Sequence, residues 1–184
     1  MNRNEKIIQR IPILKDEYFR KCIQLAFNSK GEESYGSLLV KNDKIMGEGF
    51  NRATVHKKFK LERKIRQGYC NHAEVEALLD SIDNLYDVFY GDLYCAGYFL
   101  NEDRIFFQTK YTCTICPSHL EKYGIRNIFI PTPKGWFRRP LDEAKEEAKE
   151  FRGGTHKKRL EHCIKGYKFK NTEKTLKEIF ELKL

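Results

Sequence analysis

The sequence of 184 residues has no long apolar run, only two methionines and fewer acidic than basic side chains. Its longest uninterrupted apolar stretch, Leu93–Leu100, is far shorter than the ~20 residues that cross a bilayer as a helix. The segment MNRNEKIIQRIPILKDE has basic residues but no apolar stretch of the signal-peptide kind. We therefore expect a soluble, cytoplasmic protein without a secretory signal and without a membrane partner.

Internal repeats and low-complexity linkers are also absent, and the length suits a single domain of ~100–200 residues. Hydrophobic residues make up 40% and aromatic residues 13%, which is enough for a packed core and argues against wholesale disorder. The 35 Lys and Arg residues outnumber the 26 Asp and Glu residues, which gives a formal net charge of +9. Such a charge attracts anionic ligands.

Six cysteines without a secretory signal argue against a disulfide framework, because a reducing compartment keeps thiols reduced. Cys113 and Cys116 form a close pair with two residues between them, a spacing typical of a metal or redox site. Cys22, Cys95 and Cys163 lie in apolar or aromatic contexts and are expected in the core.

Apolar periodicity and capping residues predict several helices. In the first of them, Phe19, Cys22, Ile23 and Ala26 recur on one face. Gly124 is a natural left-handed cap that ends another. The predicted helices cover 16–29, a segment starting near His72, Cys113–Tyr123, 141–151, 156–166 and 173–183.

Strands are predicted at Ser37–Lys41 and Lys44–Gly47, which form a hairpin turning at Asn42-Asp43, and at Ile105–Thr109 and Arg126–Pro131. Residues 84–103 show no clear pattern.

Alternation of helices and strands in the second half implies crossover connections, while the hairpin implies antiparallel pairing. The expected fold class is therefore α/β, a three-layer α/β/α sandwich with a mixed central sheet. We expect residues 1–151 to form this domain, and 152–184 to form a C-terminal helical extension packed on it.

Two fragments carry chemistry: His72-Ala73-Glu74 and Cys113-Thr114-Ile115-Cys116, each at a predicted helix start. A catalytic zinc ion needs three protein ligands and an open fourth position for water. His72, Cys113 and Cys116 supply one imidazole and two thiolates. The unpaired N–H groups of a helix start lower thiol pKa values, which favours the ligating form. The fragments therefore predict a Zn²⁺ cofactor.

Glu74 is the predicted catalytic residue. Two thiolates push electron density onto the metal, so its water is less acidic than at an all-histidine zinc site, where the pKa is about 7. A nearby base is then required. Glu74 lies two residues from His72, near the metal without having to ligate it, and can take a proton from water and return it to a leaving amine.

With these two fragments, the chain resembles the cytidine/deoxycytidylate deaminase superfamily. The resemblance also rests on a first helix and on the stretches YGSLLVKNDKIMGEGFN, HAEVEALLDS and TCTICPSHLEKYGIRNIFI. This superfamily of zinc-dependent nucleobase deaminases includes tRNA adenosine deaminases. The resemblance covers residues 16–131 and implies a cytidine deaminase-like fold and a homo-oligomer. It also implies that Asn51 binds the nucleoside sugar and that the backbone at Ala73 and Cys113 contacts the base.

The resemblance implies a hydrolytic deaminase of a nucleobase amine, with a cytosine nucleoside or nucleotide as the expected substrate. Glu76 stands where the deoxycytidylate branch has asparagine. One alternative is a deaminase of a base in tRNA or other single-stranded nucleic acid, so that RNA is the partner. A second alternative is a non-catalytic nucleic-acid-binding module with a structural zinc ion, closed by Cys70 or His119 as a fourth ligand.

The basic runs at 56–66 and 134–139 have two open interpretations. They either rim the substrate pocket or form solvated faces. Trp136 and Phe137 lie between Lys134 and Arg138-Arg139, which combines stacking surface with phosphate-binding charge.

Overall fold

The computed structural model describes residues 9–29, 34–52, 72–84, 86–101, 104–108, 116–150, 163–168 and 180. In these residues the chain forms a 3₁₀ turn at Pro12–Lys15, four α-helices and seven strands. The helices are α1 (Glu17–Ala26), α2 (Ala73–Asp83), α3 (Cys116–Lys122) and α4 (Leu141–Glu150). The strands are β1 (Ser34–Lys41), β2 (Lys44–Phe50), β3 (Asp92–Asn101), β4 (Arg104–Gln108), β5 (Asn127–Thr132), β6 (Gly135–Pro140) and β7 (Cys163–Lys168).

All seven strands belong to one mixed sheet built around β3. One edge of β3 pairs antiparallel with β1, which in turn pairs with β2. The other edge pairs first with β5, in parallel, and then with β4, antiparallel. Strand β6 extends the sheet from β5, and β7 extends it from β4. The mixed sheet is the one expected from the hairpin and the later crossover.

Helices cover both faces of the sheet, which confirms the three-layer sandwich. Side chains alternate between the faces along β1: Leu38 and Val40 join the core beneath α1, whereas Leu39 joins the opposite core. That second core contains buried residues of α2, α3 and α4 together with β5. The candidate site lies in this second layer, where α2 and α3 begin.

The first core is organised by aromatic rings around α1. Asp16 caps this helix by accepting the Phe19 N–H at 2.9 Å, and the same carboxylate oxygen accepts the Trp136 indole N–H at 2.8 Å. The Phe19 ring also lies edge-on to Phe107 and within 6.1 Å of the fully buried Phe180. One carboxylate thus joins the first helix to an edge strand.

The structure confirms four predicted helices and corrects a fifth. The prediction of a helix over 156–166 is wrong at 163–166, because these residues belong to β7 and pair with β4. Ile164 and Tyr167 lie opposite Phe107 and Ile105, so partners distant in sequence override the local helical pattern. Phe180, in the predicted 173–183 helix, is helical. The other residues of the 152–184 extension lie outside the described part, and the boundary at 151 remains a prediction.

Besides β7, two further strands were not predicted. Strand β3 fills the stretch without a pattern because it is buried on both faces, which removes the apolar–polar alternation of a half-exposed strand. Strand β6 is the segment GWFRRP, in which the charges conceal an edge strand. Among the described residues, no helix combines the length and the apolar character that a membrane crossing requires.

Helix α2 lies unusually close to β2, because two glycines of the strand face the helix. A Cβ atom at Gly49 would lie 2.2 Å from the Ala73 carbonyl oxygen and 2.3 Å from the Ala77 nitrogen. Backbone therefore meets backbone at the first turn of α2, a contact that only glycine permits.

We expect Gly49→Ala to destabilise the protein by about 1–3 kcal/mol or more, because the added methyl group must push α2 away from the sheet. The matched control is Lys44→Ala on the same strand, where the side chain is exposed and the effect should stay within about 0.5 kcal/mol. Urea unfolding of both variants measures the difference. Equal stability of Gly49→Ala and the wild type would contradict the close approach of β2 and α2.

Candidate metal centre

The first turn of α2 and the start of α3 meet at one place in the second layer. His72 is the cap residue of α2, with an extended backbone (φ −80°, ψ 151°), and the Glu76 N–H donates to its carbonyl oxygen at 3.0 Å. Cys116 is the first residue of α3. Each helix presents its positive end here, which favours anionic side chains.

The three candidate residues His72, Glu74 and Cys116 are brought together. Their ligand atoms all lie within 4.8 Å of one another, and His72 Nδ1 is 3.3 Å from Cys116 Sγ. In a tetrahedral zinc site, with Zn–N of 2.0–2.1 Å and Zn–S of 2.3 Å, these two atoms would be about 3.5 Å apart. The observed separation therefore fits a shared zinc ion.

The burial of the candidate ligands is compatible with a cation at this place. Cys116 is 1% and Glu74 6% exposed. A thiolate and a carboxylate so deeply buried carry a large desolvation cost unless a positive charge compensates them. A divalent cation between them supplies that charge, and nitrogen and sulfur donors are those that zinc prefers.

The remaining predicted ligands have different outcomes. Cys113 lies outside the described residues, as does Cys70, so the second thiolate remains a prediction from the Cys-x-x-Cys spacing. His119 lies one turn after Cys116 on α3, but it is not a member of the metal-ligating group found among the described residues.

Asn51 is placed directly beside this first turn. Its side-chain oxygen accepts the Ala73 N–H at 3.1 Å, and its own backbone N–H donates to the Tyr35 carbonyl oxygen at 3.2 Å. Asn51 thereby satisfies one of the N–H groups that a helix start leaves without an intrahelical partner. Its predicted contact with a sugar remains a prediction.

Cys22 and Cys95 are buried, as expected, and lie outside the metal-ligating group. Burial raises the pKa of the Cys22 thiol well above its usual range, so this residue stays protonated. Its Sγ lies 3.7 Å from the Tyr94 carbonyl oxygen, to which it donates. Cys22 is therefore a core residue, in contrast to Cys116 at a helix start.

The arginines of the 134–139 run make internal contacts. Arg138 Nε donates to Asn127 Oδ1 at 2.9 Å, and Arg139 forms ion pairs with Glu143 and Glu147 of α4. These contacts join β6 to its neighbours. The run at 56–66 lies outside the described residues.

Two features of the site were missed by sequence reasoning. The first is Gly49, whose signal was a Gly-x-Gly pair in a strand. The second is Arg52, whose Nε lies 3.1 Å from Glu76 Oε2. No local pattern links these two residues, because the pairing spans the connection between β2 and α2.

A comparison with known protein families finds a match over residues 13–132 to the cytidine and deoxycytidylate deaminase zinc-binding region. No curated protein matches the chain.

Among solved structures, the chain is similar to the dCMP deaminase of cyanophage S-TIM5 in its apo form. The identity is 17%, the match covers 70% of this chain and 82% of that chain, and the TM-score is 0.43. It is also similar to the diaminohydroxyphosphoribosylaminopyrimidine deaminase/5-amino-6-(5-phosphoribosylamino)uracil reductase of Thermotoga maritima. The identity is 20%, the match covers 89% of this chain and 38% of that chain, and the TM-score is 0.39. The family match spans most of the chain and includes His72, Glu74 and Cys116. The chain therefore belongs to the cytidine and deoxycytidylate deaminase family, with zinc as its cofactor.

Proposed function

We propose that the protein is a zinc-dependent hydrolytic deaminase whose substrate is a cytosine nucleoside or nucleotide. The observation that carries this proposal is the buried Glu74 carboxylate, whose oxygen lies within 4.8 Å of the ligand atoms of His72 and Cys116. A carboxylate in this position suits proton transfer next to a metal ion. A purely structural zinc site has no need of one.

His72, Cys113 and Cys116 are the proposed zinc ligands. Zinc, when bound in such a site, makes a water molecule nucleophilic at neutral pH. The helix starts at His72 and Cys116 would hold a metal ion from two directions and would thereby join α2 to α3. The second thiolate is assigned by the Cys113-x-x-Cys116 spacing.

Glu74 is the proposed proton carrier. One carboxylate oxygen accepts a proton from the attacking water, and the same group then donates it to the amine that leaves the base. It lies in the first turn of α2, at the positive end of the helix dipole. Its burial keeps bulk water from competing for the proton.

Asn51 and Ala73 are the proposed substrate contacts. The Asn51 side-chain oxygen is bonded to the Ala73 N–H, and its amide group carries two donors that suit a sugar hydroxyl. A base that contacts the Ala73 N–H would share or replace this bond. Cys113 is the third proposed contact, through its backbone.

Deamination within a single-stranded nucleic acid is the second candidate function. The net charge of +9 suits a polymeric anion as well as a mononucleotide, so a salt-dependence measurement has to separate the two candidates. From the family resemblance we expect a homo-oligomer under either candidate function.

We expect the purified protein to contain about one zinc ion per chain, and Cys116→Ser to lose it. Removing a thiolate removes a strong ligand, so the melting temperature of this variant should fall together with its metal content. Elemental analysis and thermal unfolding measure both quantities. The control is Cys22→Ser, which should keep zinc even though it disturbs the core. Wild-type protein without zinc would contradict the metal assignment.

We expect Glu74→Ala to keep zinc and fold but to abolish turnover, since Glu74 is the proposed proton carrier. Ammonia release and zinc content measured on one preparation test this. Glu17→Ala is the matched control, because Glu17 is an exposed acidic residue in the first turn of α1. Metal loss in Glu74→Ala would make Glu74 a ligand, and near-normal turnover would refute the deaminase proposal.

We expect ammonia release from cytidylate or deoxycytidylate to exceed that from cytosine by at least about tenfold. A charge-assisted contact to a phosphate contributes roughly 1.5–3 kcal/mol, which exceeds the 1.4 kcal/mol of a tenfold effect. The assay compares cytosine, cytidine, both cytidylates, adenosine, guanine and an unmodified tRNA pool at low and high salt. Turnover confined to tRNA, with a steep salt dependence, would favour the second candidate instead.

A further inference from the structure

Arg52 lies next to the candidate site at the end of β2, directly after Asn51. Its Nε is 3.1 Å from Glu76 Oε2, and its guanidinium carbon lies 4.7 Å from the centre of the Phe50 ring. The side chain is 45% exposed, so solvent reaches one part of it while an ion pair and a ring hold the other. These contacts restrain an otherwise flexible side chain.

Glu76 is the buried member of the pair, with only 4% of its side chain exposed. Its backbone N–H donates to the His72 carbonyl oxygen at 3.0 Å, in the first turn of α2. Glu76 therefore connects Arg52, through its side chain, to the backbone of the proposed zinc ligand.

The two residues that directly follow β2 thus bind the first turn of α2. Asn51 binds the Ala73 N–H and Arg52 binds the Glu76 carboxylate. The turn between these two contacts carries Glu74. Farther along α2, the backbone N–H of Glu48 in β2 donates to Asp80 Oδ2 at 2.9 Å, which is a further contact between the strand and the helix.

We infer that Arg52 and Glu76 are positioning residues, whose ion pair holds the first turn of α2 so that His72 and Glu74 face Cys116. The role in turnover rests on the proposed function. A buried carboxylate that loses a charged partner is destabilised, and a shift of the turn toward solvent offsets part of that cost. His72 and Glu74 belong to that turn and move with it. Displacements of about 1 Å can reduce catalysis about a hundredfold.

The experiment compares variants of the full-length, zinc-loaded protein. Arg52→Met removes the guanidinium partner of the buried Glu76 carboxylate, and Arg52→Met/Glu76→Leu replaces the whole pair with apolar side chains, which typically restores stability. The matched control is Lys21→Met. It breaks the Lys21–Glu48 ion pair, which joins α1 to β2 with the same 3.1 Å separation but is exposed. Each variant is measured for melting temperature, kcat, KM and the rate of zinc loss to a chelator.

We expect Arg52→Met to lower kcat by at least about tenfold with KM within about twofold, and to speed zinc loss. The double variant should regain the melting temperature but neither kcat nor zinc retention. Lys21→Met should resemble the wild type. A double variant that regains kcat and zinc retention together with stability would overturn the inference, because the ion pair would then have a structural role only. Wild-type kcat and zinc retention in Arg52→Met would overturn it as well.

Two single variants at Glu76 decide the question if the double variant does not fold. Glu76→Gln keeps an oxygen acceptor for Arg52 Nε and should retain kcat within about threefold of the wild type. In Glu76→Leu, kcat should fall as far as it does in Arg52→Met. Equal kcat in these two variants would overturn the inference. If the wild type released no ammonia from any compound tested, the proposed function would fail. The rates of zinc loss would still decide whether the pair positions His72.

Discussion

The backbone contact between Gly49 and the first turn of α2 is the constraint on which the metal centre depends. It fixes how far α2 stands from the sheet, and hence where His72 and Glu74 lie. Helix α3 reaches the same place from the other side, because Leu120 and Cys116 are buried in the core that α2 also fills. The site is thus formed by two helix starts that a single hydrophobic layer orients.

Two carboxylates of this one turn have contrasting surroundings. Both Glu74 and Glu76 are buried, yet Glu76 faces Arg52 whereas Glu74 faces a thiol and an imidazole. The ion pair with Arg52 assigns Glu76 to holding the helix. Glu74 is not among the proposed metal ligands, so its carboxylate can exchange a proton. Different surroundings can assign two neighbouring carboxylates to different roles.

The parts of the fold that the sequence predicted are those with strong local signals. The amphipathic pattern of Phe19, Cys22, Ile23 and Ala26 predicted α1, and the Asn42-Asp43 turn predicted the first hairpin, where both residues have positive φ. Strand β7 could not be predicted in this way. Its residues pair with β4, more than fifty positions earlier in the sequence, and a periodicity argument does not see such partners.

In the candidate site, too, the residues with local sequence signals were predicted and those that depend on packing were not. His72, Glu74 and Cys116 were identified because metal chemistry restricts residue type and spacing within short fragments. The Arg52–Glu76 pair and the Gly49 contact depend on how β2 and α2 pack, which only the folded chain shows. The sequence showed that Glu76 replaces the asparagine of the deoxycytidylate branch, but it did not show that Arg52 is its partner.

A crystal structure of the zinc-loaded protein, at a resolution that identifies the fourth ligand, tests the central claim most directly. The account predicts zinc bound by His72, Cys113 and Cys116, with a water molecule in the fourth position beside the Glu74 carboxylate. A fourth protein ligand, whether Cys70, His119 or Glu74 itself, would close the site and contradict the assignment of Glu74 as proton carrier.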